Sequence, residues 1–320
     1  MVQGCDIGKE QNSKQQLDRL AAVSFFYRRA KCFLGLQFVL TVPAALVLAT
    51  IIFLIPDAKG WTTFYALTVA LLDTLLLDRV QTRYKWLGAR TQELFDTELL
   101  RLPWNKLRAE SKPDSEDVVQ ATAKFTNRQG LERLRDWYPP VAGQLPLPLA
   151  RLICQRANTW WDAKLRKKYA NTLMFMLVVS VVLVFALSLF SGQTVEEMVL
   201  SVYVPIAPAI LWSVREIRRQ HEAAESLDKL RTYVEGIWGD VLSRELDPAT
   251  LITDSRQIQD SIFDGRYRNP LIFDWINRLV RSTQQTSMNV KAQELVAEAR
   301  SSQGYIAYRR QNLRDSPKQF

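Results

Sequence analysis

The sequence predicts an all-α membrane protein with four transmembrane helices in two hairpins, and with a helical cytosolic block after each hairpin. Four apolar segments lead to this prediction: residues 33–56 and 170–192, which carry no charged residue, and the shorter segments 61–77 and 198–214. A helix needs roughly 20 mostly apolar residues to cross the hydrocarbon core of a bilayer. The first segment of each pair exceeds that length, and flanking residues must complete the second.

The basic residues that flank these segments predict their orientation. They cluster before the first and third segments and after the second and fourth, whereas the two short connecting loops hold one basic residue between them, Lys59. Because Lys and Arg accumulate on the cytosolic side of membrane helices, we expect both termini in the cytoplasm. Much of the +9 net charge then lies beside anionic headgroups, so it gives no support to binding of duplex nucleic acid.

These observations divide the chain into alternating cytosolic and membrane segments. Both segments that leave the membrane keep a helical spacing of apolar residues, so we expect each to continue as a stalk; two unrelated amphipathic helices are the alternative. The predicted segments are a cytosolic N-terminal segment (1–32), a first transmembrane hairpin (33–77), a middle cytosolic helical block (78–169), a second transmembrane hairpin (170–214), a C-terminal cytosolic helical block (215–300) and a flexible tail (301–320).

Turn-forming residues set the predicted helix ends within the cytosolic blocks. Residues 115–135 are predicted to form one helix capped by Ser115, and four prolines make 138–149 a turn-rich connector. No long run alternates between apolar and polar residues, so no strand is predicted. The C-terminal block is predicted to contain helices over 255–263, 271–283 and 288–300, the first two joined by a connector at 264–270.

Four short strings, combined with the two-hairpin layout, carry a family resemblance. They are LPWN at 102–105, DWYP at 136–139, RANTWWD at 156–162, and RQIQDSIF at 256–263 followed by Arg266, Pro270 and Trp275. From about Gln15 to about Arg300, the chain resembles the SMODS-associating four-transmembrane effector family, which belongs to the bacterial anti-phage defence systems called CBASS.

The resemblance implies a function in abortive infection at the bacterial inner membrane. A partner nucleotidyltransferase makes a cyclic di- or trinucleotide on infection; the effector senses this ligand, assembles as a homo-oligomer, and disrupts the bilayer or permeabilises it by pore formation. The cyclic oligonucleotide is then the activating ligand, and no other cofactor is expected. The alternatives are a membrane-anchored scaffold for a soluble partner and a constitutive small channel or transporter.

Residue types suited to a cyclic oligonucleotide concentrate in the C-terminal block, which we therefore predict to be the sensor. Guanidinium groups bind phosphates through forked hydrogen bonds, and aromatic side chains stack on bases. The alternative is a structural network in which these arginines pair with Asp260, Asp264 and Asp274. The candidate ligand-binding residues are Arg256, Gln259, Asp260, Arg266, Tyr267, Arg268 and Trp275.

Three further residues are candidates outside that block. Trp104 and Trp137 are secondary stacking candidates, with anchoring of the core as the alternative role. Asp73 is the membrane or pore candidate, because it lies about 18 Å along the helix axis from Trp61 at 1.5 Å per residue. An ionisable residue at that depth faces a partner helix or water. It either lines a pore in an oligomer or extends toward the basic residues that follow the span.

The sequence offers no motif for catalysis or for metal binding. It lacks the GxSxG, phosphate-loop and HExxH patterns, and its one histidine is His221. The cysteines, Cys5, Cys32 and Cys154, are isolated and are expected to stay reduced in the cytosol. We therefore predict that the chain is not an enzyme and holds no metal ion.

Overall fold

The computed structural model describes most of the chain, and helices are the regular secondary structure of the part that it describes. The prediction of an all-α fold is thus confirmed for these residues, which contain no strand. The described residues are 5–41, 43–44, 47–48, 51, 59–125, 128–190, 192, 194–199, 203–243 and 248–302.

The described helices are numbered here in chain order. Two short helical turns interrupt the α-helical series, a π-helix at Asp73–Leu77 and a 3-10 helix at Pro140–Gln144. The α-helices are α1 (Ile7–Glu10), α2 (Lys14–Thr41), α3 (Lys59–Leu72), α4 (Asp78–Leu99), α5 (Lys106–Ala109), α6 (Ser115–Lys124), α7 (Arg128–Glu132), α8 (Leu147–Phe190), α9 (Val195–Met198), α10 (Val204–Ser243), α11 (Pro248–Arg268) and α12 (Asp274–Ser301).

Long helices lead from the part of the chain outside the predicted spans, here called the helical body, to each predicted span. They are α2, the continuous helical rod formed by α3, the π-helix and α4, and then α8 and α10. At 1.5 Å per residue, the 44 residues of α8 extend about 66 Å, which is twice the thickness of a hydrocarbon core. As predicted, the chain stays helical from these apolar segments into the residues that follow, through the π-helical turn at Asp73–Leu77 into α4 and within α10.

The helical body is a bundle in which α11 lies between the pair α2 and α4 and the pair α8 and α10. Helix α2 packs on α4 and α6, α8 packs on α10 and α12, and α11 contacts both α4 and α8. The absence of a side chain at Gly88 lets α4 approach α2 closely, since a Cβ atom there would lie 3.1 Å from the ring of Tyr27. The shared core includes Leu20, Phe95, Leu99, Leu152, Ile153, Trp238, Ile258 and Leu295.

The predicted spans differ in how much of them the structure describes. Among the described residues, one helix, Leu147–Leu187, is long and apolar enough by itself to cross a bilayer, and 6% of its most apolar window is buried. Several residues of the first and fourth predicted spans lie outside the described residues. On α3, apolar side chains such as Trp61 and Phe64 are largely exposed. The four-span topology therefore stays a prediction.

The predicted helix over 115–135 is wrong. Helix α6 ends at Lys124, because Phe125 leaves the helical conformation and turns its ring into the core. A separate short helix, α7, follows. Ser115 does not cap α6 either: Asp114 occupies the N-cap position, and the Ser115 hydroxyl donates to Oε2 of Glu116.

The predicted helix boundaries in the C-terminal block are also wrong. The predicted connector at 264–270 is helical as far as Arg268, since Phe263 and Tyr267 pack on Trp86 of α4. That packing outweighs the helical cost of Gly265, which is about 1 kcal/mol. The break comes at Pro270, where proline removes a backbone donor and disfavours the helical conformation of the residue before it. The two helices predicted after it form one helix, α12.

We expect Phe95→Ala to destabilise the helical body strongly. Phe95 is 0% exposed and its ring stacks on Tyr138 with a centroid distance of 6.2 Å. Loss of a fully buried Phe costs about 3–5 kcal/mol, so the melting temperature in detergent should fall by several degrees. Leu107→Ala is the matched control, because Leu107 is 91% exposed. Equal melting temperatures for the two variants would contradict this core assignment.

Candidate functional site

Three of the predicted ligand-binding residues lie in a polar network between α11 and α4. Nη2 of Arg256 donates to Oε1 of Glu93 at 2.7 Å and to Oδ1 of Asp260 at 2.8 Å. Gln259 is fully buried, and its Nε2 donates to Oε2 of Glu93 at 2.8 Å and to Oδ2 of Asp96 at 2.9 Å. These side chains therefore already have partners inside the protein.

Arg266 belongs to the same network. Its Nη1 lies 2.5 Å from Oδ2 of Asp96 and 4.0 Å from Oε2 of Glu93, and its side chain is 9% exposed. The contact with Asp96 is an ion pair without hydrogen-bond geometry, as neither Nη atom has a hydrogen-bond partner among the described residues. Burial by itself would lower the pKa of Arg266, but the two carboxylates outweigh it and raise the pKa.

Two guanidinium groups face three carboxylates in this network, from Glu93, Asp96 and Asp260. Burial raises the pKa of Glu93, and Asp96 adds to that effect, whereas Arg256 and Arg266 oppose it. A buried carboxylate in excess of its cationic partners is costly to ionise. Protonation of Glu93 would balance the charges of the network without an added cation.

Polar contacts extend the network to α8. Oη of Tyr138 donates to Oδ1 of Asp96 at 2.8 Å, and Nδ2 of Asn158 donates to Oη of Tyr138 at 3.3 Å. Nε2 of Gln155, also on α8, donates to the carbonyl oxygen of Ser255 at 2.7 Å. The network thus joins α11 to α4 and α8, which lead to different predicted hairpins.

The sequence interpretation missed Glu93 and Asp96, the carboxylates at the centre of the network. Their signal is two acids three residues apart on the same helix as the apolar residues Leu94, Phe95 and Leu99. The structural alternative predicted that the arginines pair with Asp260, Asp264 and Asp274, and two of these three partners are wrong. Only Asp260 pairs with one of the arginines, while Asp264 pairs with Arg108 at 2.7 Å and Asp274 with Lys31 at 2.5 Å.

Tyr267 and Arg268 lie outside the buried network, at the C-terminal end of α11. Nε of Arg268 donates to Oη of Tyr267 at 2.9 Å, and the guanidinium carbon lies 5.4 Å from the centre of the tyrosine ring. Tyr267 meets Trp86 edge to face at 5.1 Å, and Trp104 packs in the same cluster. We call Trp86, Trp104, Tyr267 and Arg268 the α11 end surface.

The remaining predicted residues lie apart from one another. Trp275 packs against a cluster that contains Leu165 and Tyr169 of α8, and Trp137 packs against the main core. Asp73 begins the π-helix, and its Oδ1 has no hydrogen-bond partner among the described residues. π-Helical turns within α-helices frequently coincide with functional sites, which is consistent with a functional role for Asp73. The contacts of the described residues do not test the pore role, so it stays a prediction.

The connector between α11 and α12 contacts the helices that lead to all four predicted spans. Its carbonyl oxygens accept from three side chains: Nζ of Lys85 to Asn269 at 2.9 Å, Nη1 of Arg166 to Pro270 at 2.8 Å, and Nε2 of Gln220 to Leu271 at 3.0 Å. These donors come from α4, α8 and α10. Helix α2 completes the set, with the ion pair between its Lys31 and Asp274.

The connector is closely packed, and its donor Lys85 is buried with it. Leu271 and Ile272 are buried, and the ring of Phe273 lies 6.4 Å from the rings of both Phe38 on α2 and Tyr169 on α8. Burial, together with the guanidinium groups of Arg166 and Arg219, lowers the pKa of Lys85 to about 8. Residues 269–273 therefore form a junction between α2, α4, α8 and α10, the four helices that lead to the predicted spans.

We expect Arg266→Met to lower the melting temperature of the detergent-solubilised protein. The variant leaves Asp96 buried without its cation, and such a loss costs about 3–5 kcal/mol. Adding Asp96→Asn should restore part of the stability, because the two residues are in contact and their effects are not additive. Arg268→Met is the matched control, since Arg268 is exposed. Equal melting temperatures for Arg266→Met and Arg268→Met would show that Arg266 has no structural role.

The lowered pKa of Lys85 predicts a pH dependence of stability. Between about pH 8 and 10.5 the unfolded chain keeps a proton on Lys85 that the folded protein has released, so stability rises with pH over this range. Over this pH range the free energy of unfolding should rise by about 3 kcal/mol more in the unmodified protein than in Lys85→Met. Melting temperatures of both proteins from pH 7 to 10 measure it. A constant difference between them would show that Lys85 titrates normally.

Comparison with known proteins gives a family and a relative. Residues 5–295 match the SMODS-associating 4TM effector domain. The "Probable CBASS effector molecule" of Bacillus cereus strain VD146 is 21% identical over 279 residues, which cover 84% of this chain and 90% of that protein. No solved structure matches. Because the domain match spans nearly all of the chain, the protein belongs to the SMODS-associating 4TM effector family, a family of anti-phage defence effectors.

Proposed function

We propose that the protein is a CBASS effector that binds a cyclic oligonucleotide in its helical body and, as a homo-oligomer, permeabilises the bacterial inner membrane. The junction at residues 269–273 carries this proposal. It follows Tyr267 and Arg268 of the α11 end surface directly in the chain and contacts α2, α4, α8 and α10. A ligand bound at the end of α11 therefore acts next to the point where these four helices share a contact.

The contacts within the protein decide which predicted ligand residues can meet a phosphate. Arg256 and Arg266 are held by Glu93, Asp96 and Asp260. A phosphate could recruit these arginines only by displacing buried carboxylates. Arg268 is exposed, and its partner is the neutral Tyr267, so it can add a phosphate contact without losing an ion pair. We therefore assign ligand contact to the α11 end surface, and to the buried residues the positioning of α11.

Activation requires a difference in affinity between the resting and the permeabilising state. A shift from 1% to 99% of the active state needs about 5.5 kcal/mol, whereas one hydrogen bond to a charged group contributes about 1.5–3 kcal/mol. Several phosphate contacts, or several ligands in one oligomer, are needed. A cyclic oligonucleotide supplies several phosphates at once, which favours it over a mononucleotide as the activator.

We expect dye leakage from proteoliposomes only when a cyclic nucleotide is added. A panel of cyclic di- and trinucleotides, each titrated against liposomes with entrapped dye, measures it. Arg268→Ala should shift the titration of the active nucleotide to roughly tenfold higher concentration, because it removes a charge-assisted contact. Arg135→Ala is the matched control, since Arg135 is exposed and pairs with Glu132 of its own segment.

The same assay separates the alternatives. Leakage of equal rate without nucleotide indicates a constitutive channel or transporter, and liposomes that stay sealed with every nucleotide indicate a membrane-anchored scaffold. Either result would overturn the proposed activation. Breakdown of the nucleotide during the assay would overturn the prediction that the protein is not an enzyme.

A further inference from the structure

A groove of about 220 Å³ lies between α8 and α12, formed by other residues than the α11 end surface. Its walls are mainly apolar, and polar groups of four kinds lie among them: a guanidinium, an ammonium, an indole and a hydroxyl. Sites for small ligands combine apolar walls with a few polar groups in this way. These polar groups belong to Arg156, Lys291, Trp160 and Ser287.

The two cations of the groove differ in how they are held. Arg156 forms an ion pair with Glu235 on α10, in which its Nε donates to Oε1 at 2.8 Å, and this fixes the guanidinium at one wall. Glu235 is 41% exposed, unlike the buried Glu93 and Asp96, so a phosphate can approach Arg156 without displacing a buried carboxylate. Lys291 lies on the facing helix with its side chain 45% exposed, and it pairs with Glu294 of its own helix at 2.9 Å. An exposed pair of this kind is worth at most about 1 kcal/mol. An anion can therefore replace Glu294 as the partner of the Lys291 ammonium group at a small cost in free energy.

The indole of Trp160 lies one helical turn from Arg156 on the same side of α8. An aromatic plane beside cations is the combination that binds a nucleobase together with its phosphate. The α11 end surface has the same combination, in Trp104, Tyr267 and Arg268. The groove, unlike that surface, is concave and bounded by two helices.

We propose that this groove binds one nucleotide unit of a cyclic oligonucleotide, with the base against Trp160 and the phosphate at Lys291 and Arg156. The inference rests on the proposed function and extends it to a second site. The volume is below the 300–1,000 Å³ of typical ligand pockets, so the groove takes part of a larger ligand. A cyclic oligonucleotide repeats phosphate and base around its ring, so the groove and the α11 end surface can bind different units.

The position of the groove argues against a lipid headgroup as the occupant. Trp160 precedes Ala170, where the third predicted span begins, by about 15 Å of helix. The groove therefore lies on the cytosolic part of α8. Its two walls are the helix that enters the second hairpin and the helix that follows the junction. A ligand in the groove would hold α12 against α8.

Hydrogen exchange and binding titrations on the full-length protein in detergent test the proposal. The probes are the cyclic di- and trinucleotide panel and the linear dinucleotides with the same bases. We expect the active cyclic nucleotide to slow exchange at residues 153–160 and 287–295. Lys291→Gln should weaken its binding about tenfold, whereas Lys229→Gln, which removes another exposed charge, on α10, should leave it unchanged.

Trp160→Leu should also weaken binding, through loss of stacking, and its melting temperature reports whether the variant folds. Protection confined to 264–275, with unchanged affinity in Lys291→Gln, would overturn the groove and leave the proposed function intact. Equal affinity for linear dinucleotides would assign the groove to single-stranded nucleic acid instead. If no cyclic nucleotide binds the unmodified protein, the proposed function fails, and the groove proposal fails with it.

Discussion

The junction between α11 and α12 places one constraint on the whole helical body. Residues 269–273 are not helical, yet Leu271 and Ile272 are buried, so the carbonyl groups of this segment need donors inside the protein. An unsatisfied buried carbonyl costs about 1–3 kcal/mol. The donors come from Lys85, Arg166 and Gln220, one on each of α4, α8 and α10. Any shift of one of these helices against another therefore stretches a hydrogen bond to the junction.

The buried network of α11 immediately precedes the junction in the chain and constrains its position indirectly. Its charges are costly to remove from water, and that cost is recovered only where each charge finds a partner of opposite sign. With Glu93 and Asp96 fixed on α4, α11 has few positions that pair Arg256 and Arg266 at once. Apolar packing alone would permit α11 to slide between α4 and α8. The ionic contacts thus fix its register, and through it the position of the junction.

Much of the architecture follows from the sequence, because it depends on local pattern. Uncharged apolar segments, a helical spacing of apolar residues beyond them and the absence of strand alternation led to an all-helical chain with long stalks, and the described residues agree. The helix ends within the C-terminal block did not follow, because Gly265 weakens a helix locally while the packing of Phe263 and Tyr267 on Trp86 restores it. Such a contact spans more than 170 residues of sequence, and no local pattern contains it.

The sequence by itself determined the helical class, the apolar segments and the residue types able to meet phosphates and bases. Only the tertiary structure decided which of these residues are available. It pairs Arg256 and Arg266 with carboxylates of a distant helix, leaves Arg268 at the surface, and brings Arg156 and Trp160 opposite Lys291 across a groove. The physical reason is that an arginine has the same charge in every sequence context, whereas its partner is chosen by the packing of helices far apart in the chain.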